Sequence, residues 1–462
     1  MGPVPLILWL AIGAAAFLYG GVLWEHWLPC LAVILVSAAA AAGSRRRESW
    51  PWVGRIPAIA LGVALAVAAG QLVPLPEPVL EWLTPARAEL QDTFSSVLGR
   101  PGPAAPSLVP AASLRWTLTL VGLVAVFLVA RASLVRGPER VWRPAVPLLA
   151  LGGFEAVLGL AQVYLAGQPL ATGTYVNRNH YAGLLEMALP FAAMGAVGVM
   201  KGRRSRRLTV RRALAASGLF ALAGLMLAAI IQSLSRAGFA FALASLAVMG
   251  AVALAGPKGR AGWKRRAAAG VAAAAAAAAF VFLPTDPLIF RFGALAATEE
   301  ISADTRVQVW RDTLKLIEDY PVAGVGLGGY TAAIHRYQTA APTQTIGMAH
   351  NDYLQLAAEL GLPGFAALLL LAGWALARAG KAASLHDPAR RYLGLACLGA
   401  LTALALHSLV DFNLYLPANA AALAWIAGLA TVLPSLPATR PRNARRLPLP
   451  PPVFEAEPLS RS

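Results

Sequence analysis

Charged residues are scarce in this chain. Asp, Glu, Lys and Arg make up 13% of the 462 residues, whereas soluble domains carry roughly 25%. Hydrophobic residues reach 58% and recur in runs close to the ~20 residues that cross a bilayer. This composition excludes a soluble multidomain enzyme, because such a protein needs polar faces that these segments lack.

Cysteine and acidic residues are scarce as well. The only two cysteines, Cys30 and Cys397, are far apart and lie in or beside apolar runs, so we expect neither a disulfide framework nor a metal site. The net charge of +17 does not indicate nucleic-acid binding, which gathers basic residues on one face with aromatic partners. Here the basic residues form short clusters between apolar runs, as membrane topology requires.

The apolar runs predict an all-α, polytopic integral membrane protein with about twelve spanning helices. About three quarters of the Lys and Arg residues fall in one set of alternate loops, which places both termini in the cytoplasm. The membrane domain covers residues 1–433, with long outer loops at 76–113 and 284–349, and a Pro- and Arg-rich tail at 434–462 is predicted to be disordered. The predicted spans lie at about residues 5–24, 27–43, 56–75, 114–130, 144–165, 181–200, 213–231, 237–255, 267–283, 362–377, 392–408 and 418–433.

Polar residues gather at the outer ends of these spans. Ionisable groups at membrane depth are costly and usually functional, so we expect a cavity that opens to the outer face and is lined by these groups. The clusters are residues 173–180, 233–236, 305–310, 350–352 and 407–413.

His350 ends a polar loop and is followed by Asn351, Asp352 and a long apolar run. One interpretation is a His–Asn cap on a helix that enters the membrane, since Asn and Asp are good N-caps. The other is a catalytic base, because imidazole moves protons near neutral pH.

Two arginines stand out. Arg236 separates two apolar runs and either extends to the membrane interface or binds an anion with its paired donors. Arg306 opens a predicted amphipathic helix that Pro321 ends, and it either leans into the cavity or is solvated. This helix is expected on the membrane surface or over the cavity. Its apolar stripe is Val307, Trp310, Leu314 and Ile317, and its polar face is Asp312, Lys315 and Asp319.

The remaining clusters leave alternatives open. Asn177, Asn179 and His180 either cap the following span or bind sugar. His407 and Asp411, four residues apart, form a structural pair or orient a catalytic group or a substrate. Residues 324–329 match G-x-G-x-x-G, but a helix precedes them where nucleotide binding requires a strand, so we predict a flexible turn.

With these motifs in this order, residues 173–430 resemble the O-antigen ligase/polymerase family of bacterial envelope glycan enzymes. The resemblance is carried by His350-Asn351 followed after nine residues by Gly361-x-x-Gly364, and by the Ser-Arg-Ala step at Arg236. It is also carried by Arg306-x-x-x-Trp310, by Asn-x-Asn-His at 177–180 and by the late His407-x-x-x-Asp411.

The resemblance implies a GT-C-like membrane glycosyltransferase at the bacterial inner membrane, with its site facing the periplasm. The donor would be a glycan on undecaprenyl diphosphate, and the acceptor a hydroxyl of lipid A-core or of another glycan. His350 would be the base of an inverting transfer, and Arg236 and Arg306 would stabilise the diphosphate. Neither ATP, a metal nor another cofactor is implied. Substrate-binding roles are expected for Asn177, Asn179, His180, Trp310, Asn351, His407 and Asp411.

Other functions remain open at this stage. A polymerase of O-antigen or exopolysaccharide shares the same motifs. A transporter of lipid-linked glycans would place polar groups near the bilayer midplane, often in repeated halves, whereas here they border one face. A non-catalytic scaffold of a glycan-assembly complex is the third alternative.

Overall fold

The protein is described by a computed structural model covering residues 2–43, 52–99, 104–201, 209–254, 303–340 and 345–437. Within these ranges the regular structure is helical, and the single β-bridge joins Leu75 to Ala104. The predicted all-α class is therefore confirmed. The helices are α1 (Pro3–Phe17), α2 (Trp24–Gly43), α3 (Arg55–Gly70), α4 (Glu77–Leu83), α5 (Pro85–Leu98), α6 (Pro110–Arg136), α7 (Val146–Tyr164), α8 (Arg178–Lys201), α9 (Val210–Gln232), α10 (Arg236–Leu254), α11 (Ala303–Asp319), α12 (Tyr330–Ile334), α13 (Asp352–Ala382), α14 (Pro388–His407) and α15 (Pro417–Val432).

Among the described residues, nine helices are long and apolar enough to cross a membrane: α2, α6 to α10 and α13 to α15. Helices α1 and α3 are apolar but shorter. Each predicted span matches one of these helices except 267–283, which lies outside the described residues. The chain is thus a multi-pass membrane protein.

Both predicted outer loops contain helices. The segment 76–113 folds into α4 and α5 before α6 begins, and the described part of 284–349 holds α11 and α12. Of the predicted tail, residues 434–437 are described, and Leu433–Ser435 form one 3-10 turn there. The prediction of disorder for the remainder concerns residues outside the described ranges.

Helix α8 lies at the centre of the bundle. Its residues 179–192 are all buried, and α7, α9, α10 and α14 pack around it. Small residues allow this close packing, as is usual between membrane helices. A Cβ atom added to Gly152 of α7, for example, would lie 2.6 Å from the Cβ of Ala188.

A kink divides α13 at Gly361, where φ is 65° and ψ is 173°. The amide of the next residue, Leu362, donates to the Pro321 carbonyl at 2.8 Å. A Cβ on Gly361 would lie 2.2 Å from the Val322 carbonyl oxygen, and one on Gly324 would lie 2.3 Å from that of Glu359. These two glycines therefore let the turn after α11 touch the kink, backbone against backbone.

The glycine-rich segment at 324–329 forms a turn, as predicted, and hydrogen bonds anchor it. The buried carboxylate of Glu359 accepts hydrogen bonds from the amides of Gly328 at 2.7 Å and Tyr330 at 3.3 Å. The Tyr415 hydroxyl donates to the same carboxylate at 2.8 Å. A buried carboxylate requires such donors, and here the turn supplies two of them.

Helix α11 is present and ends before Pro321 as predicted, but only part of its predicted apolar stripe is buried: Trp310 and Ile317 pack against buried clusters. Val307 and Leu314 of the predicted apolar stripe are 37% and 49% exposed, whereas Asp312 of the predicted polar face is 1% exposed. The Asp312 carboxylate accepts the amides of Thr339 at 2.7 Å and Ala340 at 3.2 Å. This anchoring of a loop turns Asp312 inward, while Lys315 and Asp319 of the predicted polar face are exposed.

Candidate functional site

A buried carboxylate lies between two imidazoles at one end of the bundle. Oδ1 of Asp411 is 3.6 Å from Nε2 of His180 and 3.7 Å from Nδ1 of His350. The amide of Phe412 donates to the same oxygen at 2.8 Å. The Phe412 ring meets both imidazoles edge-on, with centroid distances of 4.5 Å to His180 and 5.0 Å to His350. The three side chains are thereby held around one oxygen atom.

The charge state of Asp411 follows from these contacts. Burial by itself would raise the pKa of Asp411, but the contacts with His180 and His350 outweigh it and hold the pKa well below its ordinary value. Asp411 is therefore a carboxylate at neutral pH. A fixed negative charge behind an imidazole favours the tautomer with its proton on the facing nitrogen.

His350 is placed by its backbone as much as by its side chain. Its φ of 49° lies in the left-handed region, which costs a non-glycine residue on the order of 1–3 kcal/mol. The preceding residue, Ala349, is held on both sides. Its amide donates to Oε1 of Gln355 at 3.0 Å, and its carbonyl accepts the indole N–H of Trp310 at 3.0 Å.

The two interpretations of the His350 motif are both compatible with the structure. Asn351 caps α13, because its side-chain oxygen accepts the amides of Tyr353 at 3.0 Å and Leu354 at 3.1 Å. The imidazole of His350 takes no part in this cap. It turns toward Asp411 and remains 17% exposed, whereas Asp411 is 1% exposed.

Asp352 ties the start of α13 to the turn that follows α14. Its amide lies 2.9 Å from the carbonyl of Ser408 and 3.2 Å from that of Asp411. Its carboxylate accepts the Ser408 hydroxyl at 2.7 Å and the amide of Leu414 at 3.2 Å. This connection keeps the residue after the cap beside the turn that carries Asp411, and sequence reasoning had treated Asp352 only as part of a cap.

The predicted side-chain pair of His407 and Asp411 is not formed. Nδ1 of His407 instead lies 2.9 Å from Oε1 of Glu186, and both side chains are 0% exposed. Only the backbone joins His407 to Asp411, whose amide donates to the His407 carbonyl at 3.1 Å. Sequence reasoning missed Glu186, although a lone carboxylate inside an apolar span is costly and was a signal for it.

The start of α8 contains the Asn-x-Asn-His motif. Oδ1 of Asn177 accepts the amide of Asn179 at 2.7 Å, which is a capping contact. Asn179 and His180 are each 5% exposed. The carbonyl of His180 accepts the side-chain amide of Asn419 at 2.9 Å, which fixes the backbone of His180 beneath Asp411.

Both arginines begin helices at this end of the bundle. Arg236 is exposed at the first residue of α10, and the hydroxyl of Ser235 caps that helix by accepting the Gly238 amide at 3.1 Å. Arg306 is half-buried in the first turn of α11. One turn further, Trp310 packs against a buried cluster that includes Ala237 and Phe241 of α10, and its indole N–H donates to Ala349 of the His350 loop.

No curated protein sequence matches the chain. A family model described as O-antigen ligase matches residues 219–369. The matched range includes Arg236, Arg306, Trp310 and His350, which the structure gathers at one end of the bundle. Over residues 219–369 the chain is thus similar to the O-antigen ligase family, and its helices are those of a multi-pass membrane protein.

Proposed function

We propose that this protein transfers a glycan from undecaprenyl diphosphate to a hydroxyl of lipid A-core or of another glycan, with inversion at the anomeric carbon and on the periplasmic face. The observation that carries the proposal is the contact between the partly exposed imidazole of His350 and the buried carboxylate of Asp411. A base that is backed by a carboxylate and open on its other side suits the activation of a hydroxyl group.

The proton path follows from the two ring nitrogens. Nδ1 of His350 faces Asp411, so in the neutral ring the proton on Nδ1 leaves Nε2 with a free lone pair. Nε2 accepts the proton of the acceptor hydroxyl while that oxygen bonds to the anomeric carbon. The bond from this carbon to the diphosphate oxygen breaks, and both electrons leave with the diphosphate. Asp411 then stabilises the imidazolium that has formed.

The leaving group gains negative charge as its bond breaks. Fixed cations aimed at that charge lower the barrier, and guanidinium groups bind phosphate oxygens with paired donors. We assign this role to Arg236 and Arg306, which lie at the starts of α10 and α11. Trp310 of α11 packs against α10 and donates to the His350 loop. The glycosyl–diphosphate bond already holds the energy for transfer, so the proposed reaction uses neither ATP nor a metal ion.

The residues with predicted substrate-binding roles differ in exposure, and only those that are partly exposed remain candidates for contact with the substrates. Asn177 and Trp310 are half-buried and remain candidates for sugar contacts. The indole N–H of Trp310 donates to the Ala349 carbonyl, so Trp310 also holds the loop that carries His350. Asn179, His180, Asn351, His407 and Asp411 are buried, so we propose that they shape the site around His350.

The test is reconstitution of the purified protein in liposomes with undecaprenyl-diphosphate glycan and separate candidate acceptors, without ATP and with a metal chelator. We expect a new glycosidic bond, which is lost in His350→Ala and reduced in Arg236→Ala and Arg306→Ala. His335→Ala and Arg311→Ala are matched controls, because both side chains are exposed in the same region.

Each other outcome identifies an alternative. Full activity of His350→Ala and Arg236→Ala would overturn the mechanism. Movement of the glycan across the bilayer without a new bond would indicate a transporter. Elongation of a lipid-linked glycan, without transfer to lipid A-core, would indicate a polymerase.

A further inference from the structure

Two histidine–carboxylate contacts join α8 to the end of α14. In one of them α8 supplies the histidine, and in the other it supplies the carboxylate. Nearer the surface, His180 of α8 faces Asp411, which follows α14, at 3.6 Å. Deeper in the bundle, Glu186 of α8 faces His407, the last residue of α14, at 2.9 Å. The proposed mechanism uses Asp411 of the first contact and leaves the Glu186–His407 pair unexplained.

The Glu186–His407 pair is sealed from solvent. Both side chains are 0% exposed, and the ring of Phe241 from α10 lies 5.8 Å from the imidazole of His407. The other ionisable groups of this region are Asp411 after α14, Asp352 at the start of α13 and His180 on α8. No substrate reaches a pair buried in this way, so its effect on a reaction must pass through its neighbours.

The backbone links this pair to Asp411. The carbonyl of His407 accepts the amides of Val410 at 3.0 Å and Asp411 at 3.1 Å, which forms the turn after α14. The carbonyl of Asp411 in turn accepts the amide of Asp352 beside His350. A change in the position of His407 therefore moves the carboxylate that faces His350.

Stability alone is a poor reason for such a pair. Apolar residues of similar volume often replace a buried ion pair without loss of stability, because the pair must be desolvated. A hydrogen bond to a ring nitrogen, however, is directional, and apolar packing does not reproduce its direction.

We infer that Glu186 and His407 are a positioning pair for the proposed transfer. The hydrogen bond holds the end of α14 against α8, and the turn at 407–411 then keeps Oδ1 of Asp411 beside Nδ1 of His350. Neither residue contacts the substrates. This inference rests on the proposed function, which it deepens by assigning the residues that set the geometry of the base.

The test compares the Glu186→Leu/His407→Leu double variant with wild-type protein in the liposome assay. Because the double variant removes both members of the pair, neither is left buried without its partner, and we expect the midpoint of thermal unfolding to stay close to that of wild type. Its kcat is expected to fall on the order of tenfold to hundredfold, as for a misplaced catalytic group, while KM for both substrates changes little. The reversed pair, Glu186→His with His407→Glu, is expected to recover most of the lost kcat.

Thr119→Val is the matched control, because it removes a buried interhelical hydrogen bond, from the Trp27 indole at 2.9 Å, that has no part in the proposed site. Its kcat is expected to stay at the wild-type value. A folded double variant with wild-type kcat would overturn the inference, and so would a loss that appears only in KM.

A second readout does not depend on activity. ¹⁵N NMR of histidine-labelled protein, with the His350 signals assigned by His350→Ala, reports which ring nitrogen carries the proton. We expect the Nδ1-protonated tautomer in wild type and a mixture of tautomers in the double variant. Identical His350 signals in both proteins would overturn the inference. If the two proteins differ in their NMR signals as expected but wild-type protein transfers no glycan, the positioning inference stands and the proposed function alone is contradicted.

Discussion

Nδ1 of His350 lies 3.7 Å from Oδ1 of Asp411, with the carboxylate 1% exposed and the imidazole 17% exposed. The imidazole of His350 is therefore closer to solvent than the carboxylate of Asp411. This order matches that of a base and its orienting carboxylate in hydrolytic triads. His350 has a left-handed backbone, with φ of 49°, and the next residue, Asn351, is the N-cap of α13.

Removing the negative charge of Asp411 should lower the rate of glycan transfer more than it weakens substrate binding. Asp411→Asn keeps the size of the side chain but removes the negative charge that stabilises an imidazolium. We expect kcat to fall by about 10²- to 10⁴-fold, with little change in KM for the donor, as measured by initial rates in liposomes. Asp92→Asn, at an exposed position of α5, is the control. An Asp411→Asn protein with unchanged kcat would remove the carboxylate from the mechanism.

Asp411 should also make the stability depend on pH in a defined direction. The contacts with His180 and His350 hold its pKa well below the ordinary value, so the folded state binds this proton less readily than the unfolded state. The stabilisation is then complete above the unfolded pKa of about 3.9 and is lost as the pH falls through the folded pKa. The unfolding midpoint of wild type should exceed that of Asp411→Asn at pH 5, and the difference should shrink as the pH falls below about pH 4. A difference that grows on acidification would contradict the assigned charge state.

The indole of Trp310 should act on the rate through the backbone of the His350 loop. Trp310→Phe keeps an aromatic ring but removes the N–H that donates to the Ala349 carbonyl at 3.0 Å. Loss of a hydrogen bond to a buried carbonyl costs about 1–3 kcal/mol, so we expect a clear decrease in kcat and a small decrease in the unfolding midpoint. Trp82→Phe is the control, since Trp82 is 80% exposed. Equal activity of the two variants would show that this hydrogen bond does not support the site.

Gly361 should tolerate no side chain. Gly361→Ala places a Cβ 2.2 Å from the Val322 carbonyl at a φ of 65°, and a strained backbone of this kind costs on the order of 1–3 kcal/mol before the clash is counted. We expect a lower unfolding midpoint and slower transfer, because the kink of α13 loses its contact with the turn after α11. Gly373→Ala on the same helix meets nothing within 4 Å and should behave like wild type. A fully stable Gly361→Ala protein would refute the close contact.

Hydropathy and charge predicted most of the membrane fold, because a bilayer admits only helices whose backbone groups are satisfied internally. The same reasoning gave the end of α11 at Pro321, since proline cannot continue a helix. It gave only part of the buried face of α11. Periodicity marked Val307 and Leu314, but the anchoring of Thr339 and Ala340 by Asp312 depends on residues 27 and 28 positions away.

The sequence predicted which residues form the candidate site but only some of the contacts between them. His350, His180 and Asp411 were each identified from polar residues at the ends of apolar runs, but the sequence paired Asp411 with His407 because they are four residues apart. That spacing allows a contact only while the helix continues, and α14 ends at His407. The true partner of His407, Glu186, is 221 residues away, a distance that no local pattern reports.

In the proposed reaction, His350 accepts the proton of the acceptor hydroxyl during glycan transfer from a lipid diphosphate. The most direct test is the single-turnover rate of bond formation in liposomes for wild type, His350→Ala and His335→Ala, with undecaprenyl-diphosphate glycan and lipid A-core. We predict that wild type and His335→Ala form the glycosidic bond at similar rates and that His350→Ala forms it at least about 10²-fold more slowly. Equal rates for all three proteins would contradict the claim.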